Sequence, residues 1–67
     1  MNLEEHITSD PEILFGKAVI KGTRIPVDLI LEKLASGETT EQLLKAYPRI
    51  TAESIPACLR YAAKSVI

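Results

Sequence analysis

The stretch GKAVIKGTRIPV, residues 16–27, constrains the fold of this chain more than any other part of the sequence. It places an apolar, β-branched pair directly before a Lys21-Gly22 turn signal, and Pro26 then opens a helical pattern. The sequence therefore predicts a short β-element that turns sharply into a helix.

The same stretch carries three cations and no carboxylate. Lys17, Lys21 and Arg24 are its charged residues, and no acidic residue falls between Glu12 and Asp28. We therefore expect a compact positive patch, held by the turn and the start of the helix. A patch of this kind is typical of a surface that binds a partner rather than of a catalytic site.

The spacing of apolar residues predicts two helices after the turn. The first has Pro26 at its first position and Gly37 at its end, with apolar residues at helical spacing: Val27, Ile30, Leu31 and Leu34. The second has Thr39 as its N-cap and Gln42 three residues later, which is a capping box, and Pro48 ends it.

A third helix is predicted to begin at about Ser54, after a loose turn at 51–53. With Ser54 as the N-cap, Pro56 falls in the first turn, where no helical hydrogen bond is lost. A start at Thr51 would place Pro56 where such a bond is expected. The predicted inward face is Ile55, Cys58, Leu59, Ala62 and Val66, and the predicted core is Ile30, Leu34, Leu43, Leu44, Leu59 and Ala62.

The first 25 residues have a different pattern, typical of strands and turns. A short strand is predicted around Ile7, and residues 18–20 and 23–25 flank the turn as a small hairpin or a β-corner. Two-stranded elements are marginal in water. We therefore expect these strands either to pair across a dimer or to lie on the helices.

Length and composition predict one small domain that gains stability by association. The chain has 67 residues, and a chain of this size buries only about 60% of its unfolded surface. Cys58 is the only cysteine and His6 the only histidine, which excludes an intrachain disulfide and speaks against a structural metal site. We expect a homodimer with Ile7 and residues 19–20 at its interface. No signal peptide or membrane span is recognisable, which predicts a cytoplasmic protein.

The whole pattern resembles family 433 of the prokaryotic domains of unknown function (DUF433). The resemblance rests on GKAVIKGTRIPV, an apolar helix, a glycine, a second helix ending in Tyr47-Pro48, and a Thr-led third helix. It extends over residues 7–61, although Phe15 stands where the family commonly has glycine and Ala18 where it usually has proline.

The resemblance implies a fold and a partner. The fold is mainly α: a three-helix, helix-turn-helix-like (homeodomain-like) bundle, residues 26–67, with a short N-terminal β-element, residues 1–25, in one domain, 1–67. The implied role is that of an antitoxin whose toxin is a PIN-like nuclease.

Two groups of residues are the candidate contacts. For the partner we predict Lys21, Thr23 and Arg24, because arginine pairs bidentately with carboxylates that would otherwise hold a divalent ion. The candidate DNA contacts are Arg49, Arg60 and Lys64. Glu53 near the start of the third helix and the net charge of -1 speak against strong unaided binding to nucleic acid.

The sequence contains no constellation of acid, base and nucleophile, no phosphate loop and no histidine cluster, so we predict neither an enzyme nor a cofactor or metal site. The predicted function is an antitoxin that binds and neutralises a PIN-like nuclease, with repression of its own operon as a further role. The alternative is a stand-alone helix-turn-helix transcriptional regulator, which would read operator DNA with its second and third helices.

Overall fold

A computed structural model describes residues 2–65, and it contains a two-stranded antiparallel sheet followed by three helices. The strands are β1, Ile7–Ser9, and β2, Ala18–Ile20; the helices are α1, Val27–Ala35, α2, Thr40–Ala46, and α3, Ser54–Ser65. This confirms the predicted mainly helical fold with an N-terminal β-element. Among the residues described, no helix is both long enough and apolar enough to cross a membrane.

The two strands pair with each other inside one chain. Ile7 lies opposite Ile20 and Thr8 lies opposite Val19, and the sheet contacts α1 through β2 and α3 through β1. Ile7, Val19 and Ile20 are all buried in the core of the same chain. Their side chains are therefore not available for the dimer interface that we predicted for them, and the strands lie on the helices instead.

Helix α1 has well-defined ends. Pro26 is its N-cap rather than its predicted first residue, so the helix begins one residue later than predicted, at Val27, and Gly37 ends it with a φ of +97°. The amide of Gly37 donates to the carbonyl of Leu34 at 3.0 Å, and the amide of Glu38 donates to the carbonyl of Lys33 at 3.1 Å. These two bonds form a Schellman motif, which satisfies carbonyls that the end of a helix leaves without partners.

The predicted capping box of α2 is present. The amide of Gln42 donates to Oγ1 of Thr39 at 3.1 Å, and the amide of Thr39 donates to Oε1 of Gln42 at 2.8 Å. With the glycine stop of α1 only two residues before Thr39, the chain reverses between α1 and α2 within a very short connection. The connection between α1 and α2 is therefore specified by residues that are close together in the sequence.

Helix α3 begins at Ser54, close to the predicted start, but Ser54 is the first residue of the helix and not the N-cap that the sequence predicts. Oγ of Ser54 accepts from the amide of Thr51 at 3.1 Å, which stabilises the turn before the helix. Pro56 is the third residue of α3, so it removes no helical hydrogen bond. The first bond into the helix runs from the amide of Ala57 to the carbonyl of Glu53, at 3.2 Å.

The core lies between the sheet and the three helices. Its buried apolar residues are Ile7, Val19, Ile20, Val27, Ile30, Leu43, Ile50, Ile55, Ala57 and Cys58, with Leu34 and Leu44 partly buried against them. The prediction was wrong for Leu59, which is 50% exposed, while Ala62 is half-buried and Val66 lies outside the described residues. Helix α3 turns its small residues Ser54, Ala57 and Cys58 inward, because small side chains let the helix approach the core closely, and this rotation carries Leu59 to the surface.

Burial of Cys58 predicts an unreactive thiol. The residue is fully buried, and removal from water raises the pKa of its thiol from 9.0 to about 11. Ellman's reagent at pH 8 should therefore label the folded protein only at the rate of unfolding, and the denatured protein at once. The free energy of unfolding should also fall as the pH rises from about 9 to about 11, by at most about 1.4 kcal/mol per pH unit. In this pH range the thiol ionises in the unfolded chain but stays protonated in the folded one. Rapid labelling under native conditions would contradict this placement of Cys58.

Candidate partner-binding surface

Residues 20–23 form a tight turn that leads the chain out of β2. The amide of Thr23 donates to the carbonyl of Ile20 at 3.0 Å, and Gly22 has a φ of +82°. A type II turn requires a positive φ at this third position, and glycine adopts it without strain. Oγ1 of Thr23 also donates to Ile20, at 2.7 Å, and accepts from the amide of Ile25 at 3.0 Å. The hydroxyl of Thr23 therefore holds the turn together, and a direct contact of Thr23 with a partner stays a prediction.

After the turn the chain forms a β-corner rather than a third strand. The amide of Ile20 donates to the carbonyl of Ile25 at 2.9 Å, and Val19 forms a single antiparallel bridge with Pro26. The pairing across the turn is limited to this single bridge, and the bend at residues 20–26 is called the corner below. Arg24 thus lies between two residues whose backbone positions are held by hydrogen bonds.

Arg24 is an exposed cation at this corner. Within residues 2–65 its guanidinium makes no hydrogen bond and no ion pair, so all of its donors face solvent. Arginine carries five N–H donors in a planar fork. The side chain is therefore available for a partner on a backbone that is already ordered.

Arg49 joins this corner from a distant part of the chain. It follows Pro48 in the turn between α2 and α3, and Nη2 of its guanidinium donates to the carbonyl of Gly22 at 3.2 Å. We had grouped Arg49 with the candidate DNA contacts. The fold instead places it against the turn that carries Arg24, and no sequence pattern relates positions 22 and 49.

A shallow depression of about 310 Å³ connects the two arginines. Its lining contains two guanidinium groups, the backbone of the turn and one apolar side chain; the residues are Thr8, Ile13, Gly22, Thr23, Arg24 and Arg49. No carboxylate is among these described residues. The arrangement suits an anionic group, because arginine binds carboxylate and phosphate oxygens through paired, charge-assisted hydrogen bonds.

The two lysines of the predicted patch differ in their surroundings. Lys21 is exposed, and its ammonium donates only to the backbone carbonyl of Glu4, at 3.4 Å. Nζ of Lys17 instead lies 2.8 Å from Oδ2 of Asp28, and this hydrogen bond lowers the pKa of the carboxyl group. Of these basic residues, the depression therefore brings together Arg24 and Arg49, the ammonium of Lys21 lies at the carbonyl of Glu4 outside its lining, and Lys17 is paired with the first turn of α1.

Comparison with known proteins places the chain in a family. The family described as "Protein of unknown function (DUF433)" matches residues 7–62. This chain belongs to the DUF433 family. It is 41% identical over 58 residues to "Uncharacterized protein y4eO" of Sinorhizobium fredii (strain NBRC 101917 / NGR234), a match that covers 87% of this chain and 26% of the relative.

A solved structure supports the fold of this DUF433 chain. The crystal structure of a DUF433 member from Anabaena variabilis ATCC 29413 aligns with a TM-score of 0.85 at 34% identity. The alignment covers 92% of this chain and 61% of the other. The DUF433 chain thus spans about a quarter of the Sinorhizobium relative and about three fifths of the Anabaena protein.

The remaining basic candidates lie on α3 of the DUF433 chain. Arg60 and Lys64 are exposed, and neither forms an ion pair with any residue from 2 to 65. Arg60 lines a second depression, together with Pro56 and Leu59, that contains none of the residues around Gly22. The structure therefore does not gather Arg49, Arg60 and Lys64 into one depression, and their contact with DNA stays a prediction.

The described part of the DUF433 chain contains no group of three or more histidine, cysteine, aspartate or glutamate side chains placed to hold a metal ion. The chemistry that the surface around Gly22 can perform is recognition of an anionic group by the two guanidinium groups of Arg24 and Arg49.

Proposed function

We propose that this DUF433 protein is a non-enzymatic binding protein of the antitoxin type, which covers and neutralises a PIN-like nuclease. The observation that carries the proposal is the placement of Arg24 and Arg49 at one depression beside the ordered turn 20–23, with no carboxylate among the described residues that line it. The family resemblance supplies the class of partner. The arginine pair supplies the chemistry of recognition.

The arginines match the site of a metal-dependent nuclease. Such an enzyme holds its divalent ions with clustered carboxylates. Guanidinium groups bind the same oxygens bidentately, and they do so best where water is excluded. Arg24 and Arg49 would therefore cover the carboxylates and compete with the metal ion that the nuclease requires.

The turn and the two arginines need little rearrangement to bind a partner. Arg24 breaks no internal bond when it binds, and Arg49 keeps four of its five N–H donors after its bond to Gly22. The turn itself is held by the bonds of Thr23. Little backbone freedom is therefore lost on binding, which favours affinity.

A second function rests on α3. Arg60 and Lys64 are exposed on this helix without an internal ion pair in the described chain, as contacts to DNA phosphates would require. This surface is separate from the depression at Gly22, so one protein could bind a nuclease and an operator together. Repression of its own operon is therefore part of the proposal, and a stand-alone regulator is the alternative.

Reconstitution tests the proposed function. The purified protein is titrated into a PIN-like nuclease from the same genome, and cleavage of a fluorescent RNA is followed at several Mg²⁺ concentrations. We expect stoichiometric inhibition that weakens as Mg²⁺ rises, since both ligands compete for the same carboxylates. A nuclease that stays fully active, together with tight and specific binding of the protein alone to operator DNA, would support the regulator instead.

A further inference from the structure

Phe15 is a large apolar side chain that the fold leaves in water. It lies in the loop between β1 and β2 and is fully exposed. Both Leu14 and Phe15 have a positive φ, +50° and +57°, in the left-handed region that residues other than glycine rarely adopt. Strained backbone of this kind is found where a protein presents a side chain for a purpose.

The loop that carries Phe15 is ordered by its own hydrogen bonds. The amide of Gly16 donates to the carbonyl of Ile13 at 3.1 Å, and the amide of Lys17 donates to the carbonyl of Leu14 at 3.2 Å. The hydroxyl of Ser9 donates to the carbonyl of Gly16. The aromatic ring is thus presented on a structured base, which lowers the entropy lost when it is buried.

A groove that fits an aromatic ring begins two residues after Phe15. It lies between β2, α1 and α3, has a volume of about 350 Å³ and is open to solvent. Its lining is largely apolar and includes Val27, Leu31, Tyr61 and Ala62, while the Lys17–Asp28 ion pair adds one positive and one negative charge. Because Phe15 is fully exposed, the ring does not fill the groove of its own chain.

We propose that two copies of this chain form a dimer in which Phe15 of each copy inserts into the groove of the other. The ring at residue 15 and the groove that starts at Lys17 are close together along the chain, and in the proposed dimer the two-fold axis passes near residue 17. Such an interface is isologous: each copy contributes the same surface, so no copy of that surface is left to bind a third chain. The proposal is independent of the function proposed for Arg24.

The area available is sufficient for a weak, specific dimer. A buried phenylalanine covers about 150 to 250 Å², so two rings and the groove walls they contact bury about 600 to 1,000 Å². Leu14, also exposed, extends the contact towards the roughly 1,000 Å² in total that a specific interface needs. An interface of about 1,000 Å² in total buries about a tenth of the 4674 Å² surface of each copy. The net charge of -1 and the neutral Lys17–Asp28 pair impose no strong repulsion between copies.

Sedimentation equilibrium of the full chain from micromolar to millimolar concentration tests the proposal. The wild type should change from the 7.4 kDa monomer to twice that mass. Phe15→Gly should weaken the dimer at least about tenfold while the circular dichroism spectrum is unchanged, because glycine adopts a φ of +57° without strain. Ala62→Arg, which obstructs the groove, should have the same effect. Leu59→Ser is the matched control, since Leu59 is exposed on α3 outside the groove, and it should dimerise like the wild type.

Mixing the two defective variants gives the decisive result. Phe15→Gly keeps an intact groove and Ala62→Arg keeps an intact ring, so the mixture regains one of the two insertions and should associate more strongly than either variant alone. Because the chain has no tryptophan, Phe15→Trp reports directly, and its emission should shift to the blue as the dimer forms. A wild type that stays monomeric at millimolar concentration, or a Phe15→Gly variant that dimerises normally, would overturn the proposal.

Discussion

Replacing Leu43 by alanine is expected to unfold a large fraction of the protein at room temperature. Leu43 is fully buried and is the only buried residue within α2, so this seven-residue helix is attached to the core mainly through one side chain. A Leu→Ala change at such a site costs about 2 to 5 kcal/mol, because apolar contacts are lost and a cavity remains. A domain of this size has a total stability of only about 3 to 5 kcal/mol. Far-UV circular dichroism during thermal and urea denaturation measures the loss.

Leu59→Ala provides the control for this prediction. It removes the same atoms from a side chain that is half exposed, on a face of α3 that does not contact the core. The loss in the free energy of unfolding should be below about 1 kcal/mol. Equal destabilisation by the two variants would mean that α3 buries a different face from the one described here.

The second large effect is expected at Arg24. Arg24→Glu should weaken the complex with a PIN-like nuclease by about 2 to 5 kcal/mol or more, which corresponds to about 30-fold to several thousandfold in the dissociation constant. The reversed charge would be buried against the carboxylates that the arginine is proposed to cover. The fold should be unaffected, because the side chain of Arg24 is exposed and makes no hydrogen bond or ion pair with other described residues. Calorimetric titration, with circular dichroism as the check on folding, measures both quantities.

Arg60→Glu makes the same change in charge on a different surface. Inhibition of the nuclease should be retained in this variant, since Arg60 lies on α3 outside the depression at Gly22. If the protein also binds its operator, Arg60→Glu should weaken that binding and reduce its dependence on salt. Full neutralisation by a folded Arg24→Glu protein would show that the turn is not the inhibitory surface.

The features that sequence predicted correctly are those decided by neighbouring residues. The capping box of Thr39 and Gln42, the stop at Gly37 and the start of α3 at Ser54 each depend on contacts within a few positions. Leu59 was assigned to the wrong face because hydrophobicity favours a leucine in the core. In the structure, α3 instead turns the small residues Ala57 and Cys58 towards the core. Which face is buried depends on how closely two helices approach.

The candidate surface was predicted only in part, for a related reason. Lys21 and Arg24 were found because they are neighbours of a recognisable turn. The bond between Arg49 and Gly22 and the ion pair between Lys17 and Asp28 join residues from different elements, and sequence spacing carries no information about such pairs. Phe15 was noted only as a departure from a family pattern; its exposure and its backbone conformation became apparent in three dimensions.

The bond between Arg49 and Gly22 has a thermodynamic consequence. It joins positions 27 residues apart, so the paired-arginine surface is present only while the chain is folded. A partner that binds this surface therefore shifts the folding equilibrium, by about 2.7 kcal/mol when its free concentration is a hundred times its dissociation constant. That gain is as large as many core substitutions cost. Recognition and folding of this small domain thus form a single linked equilibrium, in which saturating partner should restore structure even to a chain weakened at Leu43.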